Sequence, residues 1–299
     1  MEQGEKRRTY LLLGLTAMIW GIQPLCIKWL LDSWSPLTIA AVRYWLISAA
    51  LFLLLRLRKE KIVPPRGCWF PLLVMGLTGI ALNNILQFSG LALSTVANCT
   101  LIAAASPAIT AFFSIICIRE RLPLLAWLGI LISLLGTVLV VSHGQIDIIR
   151  HLSFNRGDIL FFLAQLAWTI YSIVGLGVMH HISAVAATAW AGLWGAVVAS
   201  GYGMVTGEFV AVPLALYQLA AFAYTVVLGG IMAMLFWNIG VKKAGPSITA
   251  IFQNITPLVG MLGGSLLFGE TLGLAELAGA LAIFIGVYLT THSQLFGRR

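Results

Sequence analysis

Ten hydrophobic segments follow one another along the 299-residue chain, at roughly 10–31, 36–56, 69–90, 95–118, 123–142, 157–178, 184–206, 216–240, 246–268 and 273–291. About 20 apolar residues carry a helix across the hydrocarbon core of a bilayer, so each segment predicts one transmembrane helix. The connections are short, the longest being 143–156, and no stretch remains for a soluble domain. The pattern also repeats. Residues 96–142 and 246–292 align without a gap at an offset of 150, which pairs Pro107 with Pro257, Glu120 with Glu270, Gly129 with Gly279 and Gly136 with Gly286. Upstream, Gly79 and Gly90 return as Gly229 and Gly240. Each copy holds five segments, an odd number, so the second enters the membrane from the opposite side. The expected fold is an all-α integral membrane protein with ten transmembrane helices in two inverted five-helix repeats. The first module is 1–142, an external linker covers 143–156, and the second module is 157–299. Inverted repeats around a midplane site are the architecture of secondary transporters.

The polar residues inside these segments are few and patterned. In the sixth segment Gln165, Trp168, Thr169 and Ser172 stand at i, i+3, i+4 and i+7, one stripe of a helix. The first segment echoes it with Thr16, Trp20 and Gln23, Trp20 matching Trp168 at an offset of 148. The third carries Asn83, Asn84 and Gln87, the fourth Asn98, the eighth Trp237 and Asn238, and the ninth Gln253 and Asn254. Amides are costly against lipid, so they point into the bundle. Any one of them is accounted for by a bond to a neighbouring helix, worth about 0.6 kcal/mol. Convergence from six helices points instead to a central polar and aromatic cavity that binds substrate.

Arg43 lies about a third of the way into the second segment. A guanidinium at membrane depth costs roughly 2.5–3.5 kcal/mol on insertion scales and requires a partner or a wet cavity. Two readings stand: a clamp for a substrate carboxylate or phosphate, and a structural group paired with Asp32 or with helix-end carbonyls. Pro24, Pro107 and Pro257 are the hinge candidates. Pro107 and Pro257 fall mid-segment at matched positions and free the carbonyls of Ala103 and Gln253, which predicts either a static kink or a bending point.

Charge changes the picture in one respect. The net charge is +8, yet only 9% of residues are charged and 60% are hydrophobic, with a mean hydropathy of +0.97. In the ten-helix arrangement fourteen Lys and Arg collect on one side: Lys6, Arg7 and Arg8, five between Arg56 and Arg66, Arg119 and Arg121, Lys242 and Lys243, Arg298 and Arg299. Two, Arg150 and Arg156, fall on the other. This positive-inside asymmetry places both termini in the cytoplasm of a bacterial inner membrane. The basic excess therefore reports topology and contact with anionic lipid, not nucleic acid. The first segment is too long for a cleaved signal peptide and lacks its small-residue site, so it is read as a transmembrane helix. Trp34 and Trp69, at segment ends, read as interface anchors.

The stretch GLALSTVANCTLIAAASPAITAFFSIICIRERLPLLAWLGILISLLGTVLV over 90–140 resembles the EamA-type module of the drug/metabolite transporter superfamily. The second half repeats its elements as Thr256-Pro257, Gly269-Glu270-Thr271-Leu272, Gly279 and Gly286, while Trp20-Gly21 and Arg43 are similar to the family's first-module pattern. The resemblance covers the whole chain. It implies ten helices in two inverted modules and the export or exchange of small metabolites such as amino acids, nucleotide-related compounds or sugar phosphates. Small multidrug relatives use a glutamate deep in the first helix, which this chain lacks.

No cofactor is implied. The spans offer no nucleophile–base pair and no paired acids, so no enzyme is expected. The histidines lie at segment ends and the four cysteines show no paired spacing, so no metal site is expected and the thiols read as buried and inert. Glu120, Glu270 and Glu276 sit at segment starts or turns, where helix capping is expected. The functional expectation is a secondary transporter working by alternating access, exporting or exchanging a small polar metabolite. An amino acid or similar zwitterion fits best. The rivals are an organic-anion or phosphate-ester antiporter, which needs two or more cavity cations, and a non-transporting membrane sensor or scaffold. Glycine pairs 129/136 and 279/286 permit close helix contact within a monomer or between subunits of a homodimer.

Overall fold

A computed structural model describes residues 3–94, 96–145, 147, 155–210, 212–260, 262 and 273–296. The fold is all-α. Helices α1 (Gln3–Leu31), α2 (Pro36–Leu57), α3 (Arg66–Gly90), α4 (Val96–Ala104 and Ser106–Ile118) and α5 (Leu124–Val141) form the first module. Helices α6 (Arg156–Val178), α7 (Ala184–Thr206), α8 (Leu216–Ala244), α9 (opening with Pro246–Ile251) and α10 (Leu274–Phe296) form the second. Nine of these are long and apolar enough to cross a membrane among the described residues. The remaining one, α9, is described continuously only over 246–260. Caps follow the repeat. Ser35 and Ser183, 148 positions apart, accept the backbone N–H of Thr38 and Ala186 at 3.1 and 3.2 Å and start α2 and α7.

The structure has two matched pairs of irregular helices. Helices α3 and α8 widen into π turns at Gly76–Leu82 and Thr225–Met232. The glycines inside them admit a neighbour: a Cβ on Gly79 would lie 2.2 Å from the Tyr171 ring, and one on Gly229 would lie 2.2 Å from Gln23 Oε1. Gly79 and Gly229 are 150 apart and Gln23 and Tyr171 are 148 apart, so this is one contact made twice, once in each repeat. Wide π turns concentrate at functional positions.

Helix α4 is interrupted, and α9 is tightened at the matched place. The first stops at Ala104 and restarts at Ser106, with Pro107 in the new first turn. The second tightens to a 3₁₀ turn over Phe252–Ile255, directly before Pro257. A proline in a first turn forfeits no helical hydrogen bond, so each proline marks a restart. Pro24 differs. Helix α1 runs through it unbroken and Pro24 is exposed on its outer side, so no break supports a hinge there.

The glycine pairs serve the chain itself. A Cβ on Gly129 would meet Gly286 O at 2.6 Å, and one on Gly136 would meet Gly279 O at 2.7 Å. Helices α5 and α10 thus pack antiparallel, backbone against backbone, in the manner of small-residue membrane interfaces. This seam ties module to module.

Candidate functional site

Three indoles from both modules meet at the centre. Trp20 of α1, Trp168 of α6 and Trp237 of α8 have ring centroids 5.3–5.5 Å apart in all three pairings, and Tyr171 stacks on Trp168 at 5.0 Å and 15°. Trp20 and Trp168, matched by the repeat, cross edge to face at 78°. The three rings touch one another as well as facing the centre. Their polar ends are fixed. Trp20 Nε1 donates to the Gly229 carbonyl of the α8 π turn at 3.1 Å, and Trp237 Nε1 donates to Ser172 Oγ at 3.2 Å. Beside them Asn238 Nδ2 donates to Tyr171 Oη at 2.8 Å and to Thr188 Oγ1 at 2.7 Å. Tyr171 and Thr188 were not singled out in the sequence. Tyr171 follows Trp168 by three on the same helical face, a signal that was legible; Thr188 carries none.

Several nominated residues join helices. Thr169 shares a 3.0 Å bond with Thr110, Asn83 Nδ2 donates to the Ala164 carbonyl at 2.9 Å, and Asn254 Nδ2 donates to Ser133 Oγ at 2.9 Å. Gln165 is buried in α6 and Gln87 half-buried in α3. The side chain of Asn98 lies outside the described residues, as do Glu270 and His151. At the segment ends Trp69 packs edge-on to Trp190 at 4.7 Å, and Trp34 Nε1 donates to the Val212 carbonyl at 2.8 Å. Cys26, Cys68 and Cys99 are buried, but Cys117 is exposed.

What remains is a set of buried polar atoms with no partner in the protein. They are Gln23 Oε1, Arg43 Nε and Nη1, Trp168 Nε1, Asn238 Oδ1, Gln253 Oε1 and Asn254 Oδ1, together with the hydroxyls of Ser48, Ser106 and Ser114 and Trp194 Nε1. The large majority of buried side-chain polar atoms are paired in folded proteins, and six of these ten residues are ones the sequence pattern places in the polar interior. Arg43 is the extreme case. It is 2% exposed, the only buried Lys or Arg among the described residues, and its guanidinium carbon lies 5.2 Å from the centre of the neighbouring Tyr44 ring. Asp32, offered by the sequence as its counter-ion, is exposed at the end of α1 and forms no ion pair with it. Lys28 is exposed too.

On the face that carries the termini, a cavity of about 440 Å³ opens among Ile118, Glu120, Ile173, Leu176, Gly177, His180, Gly245 and Pro246. Glu120 Oε2 accepts a 2.7 Å bond from Ser247 Oγ at the start of α9. Burial raises the Glu120 carboxyl above the usual range, opposed in part by that bond. The expected cap is therefore real but sits on the other module's helix. On the opposite face Glu276 Oε1 pairs with His143 Nδ1 at 2.6 Å, tying α10 to the end of α5. No group of three potential metal ligands occurs among the described residues.

The sequence profile of the EamA-like transporter family matches residues 7–142 and 155–292, the two modules in turn. The chain belongs to the EamA-like transporter family. Curated relatives match it along most of their length. An uncharacterised transporter of Bacillus subtilis, YyaM, is 27% identical over 272 residues, 87% of this chain and 86% of its own. The uncharacterised inner membrane transporter YedA of Escherichia coli K12 is 29% identical over 290 residues, 93% of this chain and 89% of its own. A solved crystal structure with 21% identity superposes with a TM-score of 0.78 over 94% of this chain and 97% of that one, which establishes the shared fold. An EamA-like multi-pass membrane transporter accounts for the repeat, the irregular helices and the polar interior together.

Proposed function

We propose that the protein moves an amino acid or similar zwitterion by alternating access, binding it beside the tryptophan trio. The observation that carries this reading is Arg43, a buried guanidinium with two nitrogens unpartnered. A carboxylate accepts charge-assisted hydrogen bonds from such a group. The unpaired Gln23 Oε1 and Asn238 Oδ1 are acceptors suited to an ammonium, and the indoles offer a face to it. A single buried cation favours one carboxylate over the doubly charged phosphate ester. The similarity to the inner membrane transporter YedA supports a bacterial inner-membrane location, and the fourteen-to-two charge sorting supports cytoplasmic termini.

Purified protein in proteoliposomes should exchange radiolabelled amino acids against an internal pool. Flux confined to phosphate esters favours the antiporter reading, and no flux of any solute leaves a sensor or scaffold. Trp168→Ala should weaken binding by roughly 2- to 30-fold, the worth of one aromatic contact. Trp29→Ala, at a side chain 49% exposed on the outer surface, should leave affinity unchanged. Orientation has its own check. In intact cells an impermeant thiol reagent should reach a cysteine placed within 143–156 and miss one within 57–66; the reverse pattern inverts the topology.

A further inference from the structure

The ends of α2 and α7 are one turn made twice, once at each membrane face, and the copies differ in their charge. On the terminus-bearing face α2 closes with a paired motif: Glu60 N–H donates to the Leu55 carbonyl at 3.0 Å and Lys59 N–H to the Arg56 carbonyl at 3.1 Å. That motif needs a left-handed residue, and Lys59 supplies it at φ +56°. On the opposite face α7 ends on Gly207 at φ +70°, 148 positions later. The same offset pairs Glu60 with Glu208 and Pro65 with Pro213, so the two loops share their landmarks. They do not share their cations. Arg56, Arg58, Lys59, Lys61 and Arg66 correspond to Met204, Thr206, Gly207, Phe209 and Leu214. A second turn repeats the contrast: Arg119 ends α4 at φ +54°, and the offset of 150 pairs it with Gly269 in the sequence.

Glycine takes the left-handed region without strain, whereas a lysine or arginine does not. The turns themselves are therefore served better by glycine at positions 59 and 119. The positive-inside signal calls for cations near a span end, but it counts charges and is blind to backbone conformation. Lys59 is held at its strained position by a need for charge there, and its surroundings indicate what meets that charge. The loop is rigid. Trp190 of α7 donates Nε1–H to the Ile62 carbonyl at 2.8 Å and packs edge-on to Trp69 and Phe52 at 4.7 and 5.1 Å, while Pro64 is buried. All five cations are exposed, and among the described residues only Arg58 has an ion-pair partner, Glu60 at 4.0 Å. Beside them Leu57, Val63 and Phe70 are 72%, 71% and 73% exposed.

We propose that the 56–66 loop is a preformed docking surface for acidic phospholipid headgroups of the leaflet on the terminus-bearing face, and that Arg119 makes the same kind of contact from the end of α4. The cations meet lipid phosphates while Leu57, Val63 and Phe70 enter the acyl boundary, apolar surface that a soluble polyanion would leave in water. Because the loop is already held by Trp190, little ordering cost opposes binding. The copy at 204–214 carries no Lys or Arg and offers the other leaflet no such surface. The inference rests on the membrane fold and not on the transport reading.

The test melts the full chain in neutral detergent with added phosphatidylglycerol, using phosphatidylcholine as the zwitterionic control. Phosphatidylglycerol should raise the melting temperature and phosphatidylcholine should not. Salt at about 0.5 M should remove most of that difference. Lys59→Gly should melt at or above the wild type without lipid, because the turn is relieved, yet bind phosphatidylglycerol about fivefold more weakly, the weight of one cation near an acidic surface. Lys59→Ala should lose the same affinity but melt below Lys59→Gly, since it keeps the strain and lacks the charge. Adding Arg119→Gly to Lys59→Gly should bring the loss to about 25-fold, as independent sites combine. Lys28→Gln, an exposed cation near the far end of α1, should leave lipid affinity unchanged. Equal responses to both lipids, or a full phosphatidylglycerol response in Lys59→Gly, overturn the proposal. Lys59→Gly melting below the wild type without lipid makes the lysine structural and overturns it too. An equal shift with inorganic polyphosphate at matched phosphate assigns the surface to a soluble polyanion instead. Solute flux enters none of these measurements, so failure of the transport reading would leave them unchanged.

Discussion

Arg43→Met should raise the melting temperature of the protein while reducing binding of a carboxylate substrate by a hundredfold or more. The two effects have opposite signs because the guanidinium is in place but unpartnered. Its Nε and Nη1 have no acceptor and the residue is 2% exposed. A charge at such a site costs the unliganded protein roughly 2.5–3.5 kcal/mol on membrane insertion scales, and an apolar side chain of similar length removes that cost. Two hydrogen bonds from a cation to a carboxylate contribute about 1.5–3 kcal/mol each, and losing both is worth at least two decades of affinity. A structural arginine gives the opposite stability result, with melting lowered and surviving protein binding normally. Thermal melts with and without amino acid, run on both proteins, separate the cases. Arg43→Lys supplies a third point, because an ammonium keeps the charge and loses the planar fork.

Gly286→Val should yield little or no folded protein. A Cβ at that position meets the Gly129 carbonyl at 2.4 Å and the Ser133 backbone nitrogen at 2.6 Å, atoms of a facing helix that cannot rotate aside. Helices α5 and α10 would have to separate along their length, exposing the paired contact at Gly136 and Gly279. Overpacking of this kind costs about 1–3 kcal/mol where a core can adjust and more where backbone is the obstacle. Gly201→Val, on an α7 glycine with nothing within 4 Å, is the control and should fold normally. Expression yield and detergent melting temperature read both variants. Equal losses would mean that the glycines matter for helix insertion and not for the seam.

The interior differs from the exterior in what the sequence made legible. Trp20 and Trp168 were paired by offset alone, and the structure brings their rings to 5.5 Å, because a repeat with opposite insertion maps equivalent positions onto opposite sides of one central axis. The matched prolines were legible as irregular points but their nature was not. A proline kinks a helix or restarts one according to whether the preceding turn keeps its hydrogen bonds, and that is settled by neighbours many residues away. The π turns of α3 and α8 left a trace only as Gly79 and Gly229. Their meaning lies in Tyr171 and Gln23, which press against them from other helices.

The sequence by itself determined the membrane class, the ten segments, the inverted duplication and the family, because hydropathy and an offset of 150 are properties of the chain read in order. It determined the polar residues as a set, because lipid cannot accept them. Only the tertiary structure decided which of them are satisfied. Thr169, Asn83 and Ser172 find partners on other helices, while Arg43, Gln23 and Asn238 keep atoms that find none. Only the tertiary structure decided that Glu120 caps α9 and that Gly129 faces Gly286 within one chain. The physical reason is the same throughout. Burial against lipid is a one-body property that a residue carries with it, whereas hydrogen-bond satisfaction and close approach are two-body properties that exist only once two distant segments share a place.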